Sequence, residues 1–359
     1  MIAMAFWVAV LLYLIGVVAA LVFPRHAAAS VCWTALAGVG DVVVGGAVLA
    51  GAPGPVGRFE TGLPFGPLTV GTDPLAALFL VVIGLVSIAT AVYASGSLGR
   101  HAKQRAVGPG LALFNLVLLT LVLIVSATDA ITFLLAWEAM AFLSYLAVNF
   151  EYEDAEVIRA SYQMLAVGEL GTIGIVGAIL FLGQAGGGFS FVALRAGATG
   201  LSSSLRDLVF FFALFGFGAK AGLLPLQLWL PGANAGAPSH IAAVLSAAVE
   251  GMGLYGILRF LVDLLGAGPA WWGLFVLALG AVTAFVGILH AFTERDLKRL
   301  LAYSTIENDG IIVAAIGLSL AFRSFHLDVL AAIAGLFALY HLVNHAVYKG
   351  LLFLGAGAV

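Results

Sequence analysis

The chain has 359 residues, of which 63% are hydrophobic and 9% charged, and carries a formal net charge of −3. With a mean hydropathy of +1.14, that composition excludes a soluble globular domain. A single cysteine, Cys32, excludes a disulfide framework, a cysteine-ligated iron–sulfur cluster and a structural zinc site built by this chain alone.

Apolar runs near 20 residues recur, each long enough to cross a hydrocarbon core about 30 Å thick. They fall near 2–23, 27–50, 75–98, 109–127, 130–150, 160–183, 206–230, 239–262, 269–291, 300–320 and 328–354. The pattern predicts an all-α polytopic membrane protein with about eleven transmembrane helices. The first run has no basic segment before it and is long, so it reads as a retained helix rather than a cleaved signal.

Basic residues set the expected orientation. Loops after odd-numbered spans hold Arg25, Arg100, Lys103, Arg105, Arg159, Arg295, Lys298 and Arg299. The other side holds Arg58, Arg195, Arg206, Arg259 and Arg323. The excess, concentrated in Gly99–Arg105 and Glu294–Arg299, places those loops in the cytoplasm and the N-terminus outside. The acidic stretch Glu151–Glu156 falls on the cytoplasmic side too. The longest connections, 51–74 and 184–205, are rich in Gly, Pro or Ser and are expected outside. Glycines 168, 171, 174 and 177 recur three apart on one helix, a spacing that serves close helix packing.

Ionisable residues inside apolar runs carry the functional signal, because a charge at the bilayer centre costs roughly 2.5–3.5 kcal/mol on insertion scales. Lys220 lies about ten residues from either end of its run, whereas snorkelling suits a lysine near a span end, and it precedes Gly222 and Pro225; an ordinary proline kink beside a snorkelling lysine is the alternative. A proline there breaks the helix, and freed carbonyls at membrane depth are tolerated only against protein or water. Broken helices of this kind commonly form transport sites. Glu138 sits mid-span in ITFLLAWEAMAFLSYLAV, as a hydrogen-bonded neutral acid or as an acid that exchanges protons with a nearby lysine. His341, His345 and Lys349 are spaced i, i+4, i+8 and share one helix face. That row suits proton hopping, or satisfied interhelical histidines; a metal reading lacks a third ligand and any H-E-x-x-H pattern. Glu169, Glu250 and Glu307 are weaker candidates, and Asp41 and His290 read as structural or interfacial. The GAGAV terminus is not a dinucleotide fingerprint.

These segments resemble the antiporter-like membrane subunits shared by respiratory complex I, Mrp-type sodium/proton antiporters and membrane-bound hydrogenases. Glu138 in WEAMAFLSYL matches the family's fifth-helix glutamate, and Lys220 in AKAGLLPLQLWLP matches the lysine of its broken seventh helix. Asp296–Ile306 matches its cytoplasmic DxKxxLAYSTI stretch, and His341, His345 and Lys349 match its H-x3-H-x3-K. The details APSH, ENDG and NHAVYKGLLFLGAG look closest to the large membrane subunit of formate hydrogenlyase and related group 4 hydrogenase complexes.

The resemblance implies inverted five-helix repeats, with N-terminal helices over 1–108, a first repeat over 109–265 holding the broken helix around 220–225, and a partial second repeat over 266–359. It implies a proton-translocating, non-redox subunit in a cell inner membrane, with redox chemistry in other membrane and redox subunits. A carboxylate within about 4–6 Å favours a lysine's charged form, so Glu138 is expected to modulate Lys220. An Mrp-type cation/proton antiporter, moving sodium as well as protons, and a non-conducting membrane anchor are the alternatives. No cofactor and no nucleic-acid partner is expected. Two departures stand out: many relatives have a lysine where Gly251 aligns, with Glu250 beside it, and the second repeat is incomplete as given.

Overall fold

The computed structural model describes residues 1–25, 27–62, 66–101, 107–151 and 154–359. Lys103 and Arg105 of the basic loop and Glu153 of the acidic stretch lie outside the described residues. The described chain is helical apart from one hairpin, and ten of its helices are long and apolar enough to cross a membrane. It divides into two compact units, one made of 1–155, 237–249 and 350–359, the other of 156–236 and 250–349.

The first unit contains α1 (Ile2–Val22), α2 (Ala27–Leu49), α3 (Pro74–His101), α4 (Gly108–Ser126) and α5 (Ala130–Val148). Consecutive helices pack pairwise, with α1 also against α4. Three of them meet at a buried polar point, where the Tyr13 hydroxyl donates to Asp41 Oδ2 at 2.8 Å and lies 2.9 Å from Ser87 Oγ. The stretch between α2 and α3, expected as a plain connection, holds an antiparallel hairpin, β1 (Val56–Phe59) and β2 (Leu68–Gly71). Asp129 ties it down. Its Oδ1 caps α5 by accepting from Thr132 N, and its Oδ2 accepts from Thr69 N and Thr69 Oγ1. One short side chain thus fixes both a helix start and a strand.

The second unit opens with α6 (Ala155–Gly186), α7 (Phe191–Gly200) and α8 (Ser203–Lys220). The connection expected over 184–205 therefore contains a helix, started by the Ser190 N-cap and burying Phe191, Leu194 and Ala198. Gly171 and Gly174 lie against the α8 backbone at Gly216 and Phe212, and Gly177 against the Phe212 ring. The apolar run 206–230 is split: α8 ends at Lys220, and the chain resumes as a 3₁₀ turn (Gln227–Trp229) and α9 (Leu230–Gly236). The next span, Ser239–Leu264, is not a uniform helix. It runs through α10 (Ser239–Val244), a π turn at Leu245–Val249, α11 (Gly251–Ile257) and a second π turn at Leu258–Leu264.

Next come α12 (Ala270–Thr293), α13 (Leu297–Ser324) and α14 (Asp328–Ala356). The α12–α13 pair is the tightest, because Gly273, Gly280 and Gly287 on α12 touch the α13 backbone at Ala321, Ala314 and Glu307. Small residues let helix backbones approach this closely. Several arginines of the expected outer face are committed to structure. Asp263 binds Arg195 at 2.6 Å and Arg259 at 2.8 Å, while Arg206 donates to the Leu265 and Ala267 carbonyls.

Candidate functional site

The break after Lys220 is a well-satisfied helix stop. Gly222 adopts φ +67°, the left-handed conformation in which glycine escapes the steric penalty of a Cβ. Leu223 N reaches back to the Gly218 carbonyl at 2.9 Å, the 6→1 bond of a Schellman end. The Ala219 carbonyl accepts from Trp229 Nε1 at 3.1 Å, and Leu224 N donates to Thr283 Oγ1 at 3.3 Å. The second half of the broken segment therefore supports the carbonyl end of the first. Lys220 stands on that end, only 4% exposed, with Nζ 5.8 Å from the Trp229 ring centre. A helix C-terminus carries partial negative charge and an indole face attracts cations, so both favour the ammonium.

Glu250 is the residue on which the two halves of the break converge. Wholly buried, it follows directly on the π turn at Leu245–Val249, and such turns cluster at functional positions. Its Oε1 accepts from Asn234 Nδ2 of α9 at 2.9 Å, while Oε2 is buried with no hydrogen-bond partner. Lys220 and Lys349 both lie within its electrostatic range. Close approach of α8 and α11 is enforced by Gly253, where a Cβ would stand 2.5 Å from Ala221 N and 2.7 Å from the Phe217 carbonyl oxygen.

The row on α14 faces α13. Lys349 is fully buried and donates from Nζ to the Leu301 carbonyl at 2.8 Å. Asn308 Oδ1 accepts from His341 Nε2 at 2.9 Å and from the Tyr348 hydroxyl at 2.5 Å. His345 Nδ1 sits 3.6 Å from Asp309 Oδ1, and its ring meets Tyr348 edge-on at 5.6 Å. Glu307 is half-buried, accepts from Ser304 Oγ at 3.3 Å and adds its field to His341, Tyr348 and Lys349.

Of the residues singled out from sequence, Lys220, Glu250, Glu307, His341, His345 and Lys349 share the second unit. Glu250 connects the two lysines electrostatically, although it ranked only as a weaker candidate. Glu169, in the same unit, lies on an exposed face of α6. Glu138 belongs to the first unit, half-buried on α5 with Oε1 buried and without a hydrogen-bond partner. His290 is exposed at the C-terminal end of α12, its ring stacked on Tyr303 at 5.1 Å. The sequence reading missed Asp309 and Asn234. Asp309 carries a signal: an acid inside an apolar 28-residue helix, two positions from Glu307.

A multi-span helical protein with a lysine-terminated broken helix and a buried row of acids, histidines and lysines is an antiporter-like membrane protein. The chain belongs to the NADH:quinone oxidoreductase/Mrp antiporter transmembrane family, which matches residues 127–359. It is 38% identical over 306 residues to hydrogenase-4 component B of Escherichia coli K12, covering 85% of this chain and 45% of that protein. It is 34% identical over 332 residues to formate hydrogenlyase subunit 3 of the same organism, covering 90% and 52%. The chain thus spans about half the length of these curated relatives. Its fold is similar to a chain of respiratory complex I from Thermus thermophilus, with a TM-score of 0.82 and 25% identity, covering all of this chain and 71% of that one.

Proposed function

We propose that this chain carries the proton-translocating machinery of an antiporter-like subunit in a complex I-like or group 4 hydrogenase/formate hydrogenlyase-type membrane complex. The observation that carries the reading is the position of Glu250, wholly out of solvent and within electrostatic range of both Lys220 and Lys349. Buried acids and lysines in a multi-span protein line ion paths by default. Protons load at Lys220 beside the break, pass Glu250, and continue to the His341–His345–Lys349 row. Glu138 tunes Lys220, since an approaching carboxylate favours the ammonium and a retreating one releases its proton.

On this reading electrons move in partner subunits and this chain holds no redox centre. The inverted-repeat layout (109–265, then 266–359 as part of a second repeat), the inner-membrane location and an N-terminus outside belong to the same proposal, the last resting on the basic loops.

The test is reconstitution of the parent complex in proteoliposomes with Lys220→Ala and with Glu138→Gln. Proton uptake per electron is expected to collapse in the first and fall in the second while electron transfer continues. Unchanged pumping in both removes the mechanism. A pH response driven by sodium without an electron donor would instead mark an Mrp-type antiporter.

A further inference from the structure

Asp309 is a buried carboxylic acid that the path above does not use. It is 1% exposed on α13. Its Oδ1 lies 3.6 Å from His345 Nδ1, and its Oδ2 is buried with no hydrogen-bond partner. Glu250, Lys349 and the Tyr348 hydroxyl are within its electrostatic range. Glu250 repeats the pattern, with one oxygen held by Asn234 and the other unpartnered, in range of Lys220, Lys349 and Asp309. His345 Nε2 is likewise buried without a partner. A buried acceptor without a donor costs about 1–3 kcal/mol. Packing alone does not select two such acids in one cluster, because an apolar residue of similar size would fill either place without that cost.

We propose that Asp309 is a proton-relay residue which, together with Glu250, links Lys220 to the His345–Lys349 end of the row. This deepens the proton-translocating reading and rests on it. In the first step the Lys220 ammonium gives one proton to the Glu250 carboxylate, so that an N–H bond breaks, an O–H bond forms and a neutral amine remains. Glu250 then passes a proton to the Asp309 carboxylate, and Asp309 delivers it to a neutral Lys349 amine or His345 imidazole. Each step moves one proton and needs no oxidant or reductant. The order cation–acid–acid–cation keeps a counter-charge beside each lysine, so a proton shifting between the acids changes the field at both. A lysine in place of Glu250 would set three like charges in line, whereas the acid pair offers lone pairs on which a proton can rest.

The experiment uses the assembled complex in proteoliposomes. Asp309→Asn keeps the side-chain shape and removes the acid, and pumping per electron is expected to fall roughly 10²-fold, as when a positioned acid–base group is lost. A protonated-carboxyl infrared band that shifts in D₂O during turnover is expected in the native complex and diminished in Asp309→Asn, where only Glu250 of the two acids remains to take the proton. Full pumping with that band intact in Asp309→Asn overturns the relay. Lys220→Ala in the same preparation separates the two levels: its loss of pumping beside a fully active Asp309→Asn overturns the relay alone. Unchanged pumping in Lys220→Ala and in Glu138→Gln overturns the translocation reading itself. If Asp309→Asn fails to assemble, Asp309→Glu decides. Its longer carboxyl is expected to pump with a shifted pH profile, and a native profile overturns the relay.

Discussion

Lys349 donates its ammonium to the Leu301 carbonyl at 2.8 Å, and the same oxygen accepts the Thr305 hydroxyl at 3.0 Å. A buried lysine is thereby fixed to the α13 backbone. Asp309, Glu250 and Glu307 all interact with it electrostatically.

Removing that cation should therefore cost more than one hydrogen bond. In Lys349→Met the Leu301 carbonyl loses a charged donor, worth about 1.5–3 kcal/mol, and Asp309, Glu250 and Glu307 lose a favourable neighbour. Thermal unfolding of the detergent-solubilised protein is expected to show a clear drop in midpoint. Lys349→Arg keeps the charge but brings a planar fork into a site shaped for a point donor, so it should lose less stability and still pump poorly. A melting point for Lys349→Met equal to the native one would contradict the assignment of Lys349 as counter-ion.

Asn234 gives a more local prediction. Its amide is the hydrogen-bond donor to Glu250 Oε1, so Asn234→Ala strands a second buried oxygen on the same carboxyl. The cost is expected at about 1–3 kcal/mol. A double-mutant cycle with Glu250→Leu, which removes the acceptor, reads the coupling, because contacting residues are non-additive. Additive effects on unfolding would show that the bond contributes nothing.

The spans and most of the buried charges were legible because hydropathy and charge are one-dimensional quantities: Lys220, His345 and Lys349 stand out in runs of apolar letters. Lys220 with Gly222 and Pro225 even announced the break. Asp309 did not, because ENDG offers three polar residues about 100° apart on a helix, and sequence does not say which turns inward. Packing decides that: the α13 backbone at Glu307 lies against Gly287, and Gly310 against Ala284 of α12, which leaves Asp309 toward His345. The two π turns escaped for a related reason, since they carry no proline or glycine signature and follow from how Ser239–Leu264 packs. The hairpin and α7 fall in stretches that look like plain connections because short amphipathic elements give weak periodicity.

Glu294, in the turn between α12 and α13, should respond to acid. The backbone N–H groups of Asp296 and then Arg295 donate to its carboxylate and hold it below the usual carboxylate range. A carboxylate lowered in the folded state stabilises the turn above its ordinary pKa, near 4.3, and loses that effect as pH falls through the lowered value. Amide exchange at Arg295 and Asp296 is thus expected to speed up on acidification below about pH 4, after correction for intrinsic rates. Glu294→Gln should abolish that step, and persistence of the step in the variant would reassign it to another group.

Two glycines two residues apart make opposite predictions for the packing that brings the break to Glu250. At Gly253 a Cβ would collide with backbone atoms of Ala221 and Phe217, 2.5 and 2.7 Å away. Those atoms belong to the last turn of α8 and cannot swing aside as a flexible side chain could, so α8 and α11 must part. Overpacking of this kind costs about 1–3 kcal/mol, and the displacement draws Lys220 from Glu250. Gly253→Ala should accordingly lower the melting point and pumping together. At Gly251 a Cβ would meet nothing within 4 Å, and an alanine removes glycine's excess unfolded-state entropy. Gly251→Ala should leave pumping intact and hold or slightly raise the melting point. Equal behaviour of the two variants would mean that the α8–α11 contact does not set the Lys220–Glu250 approach.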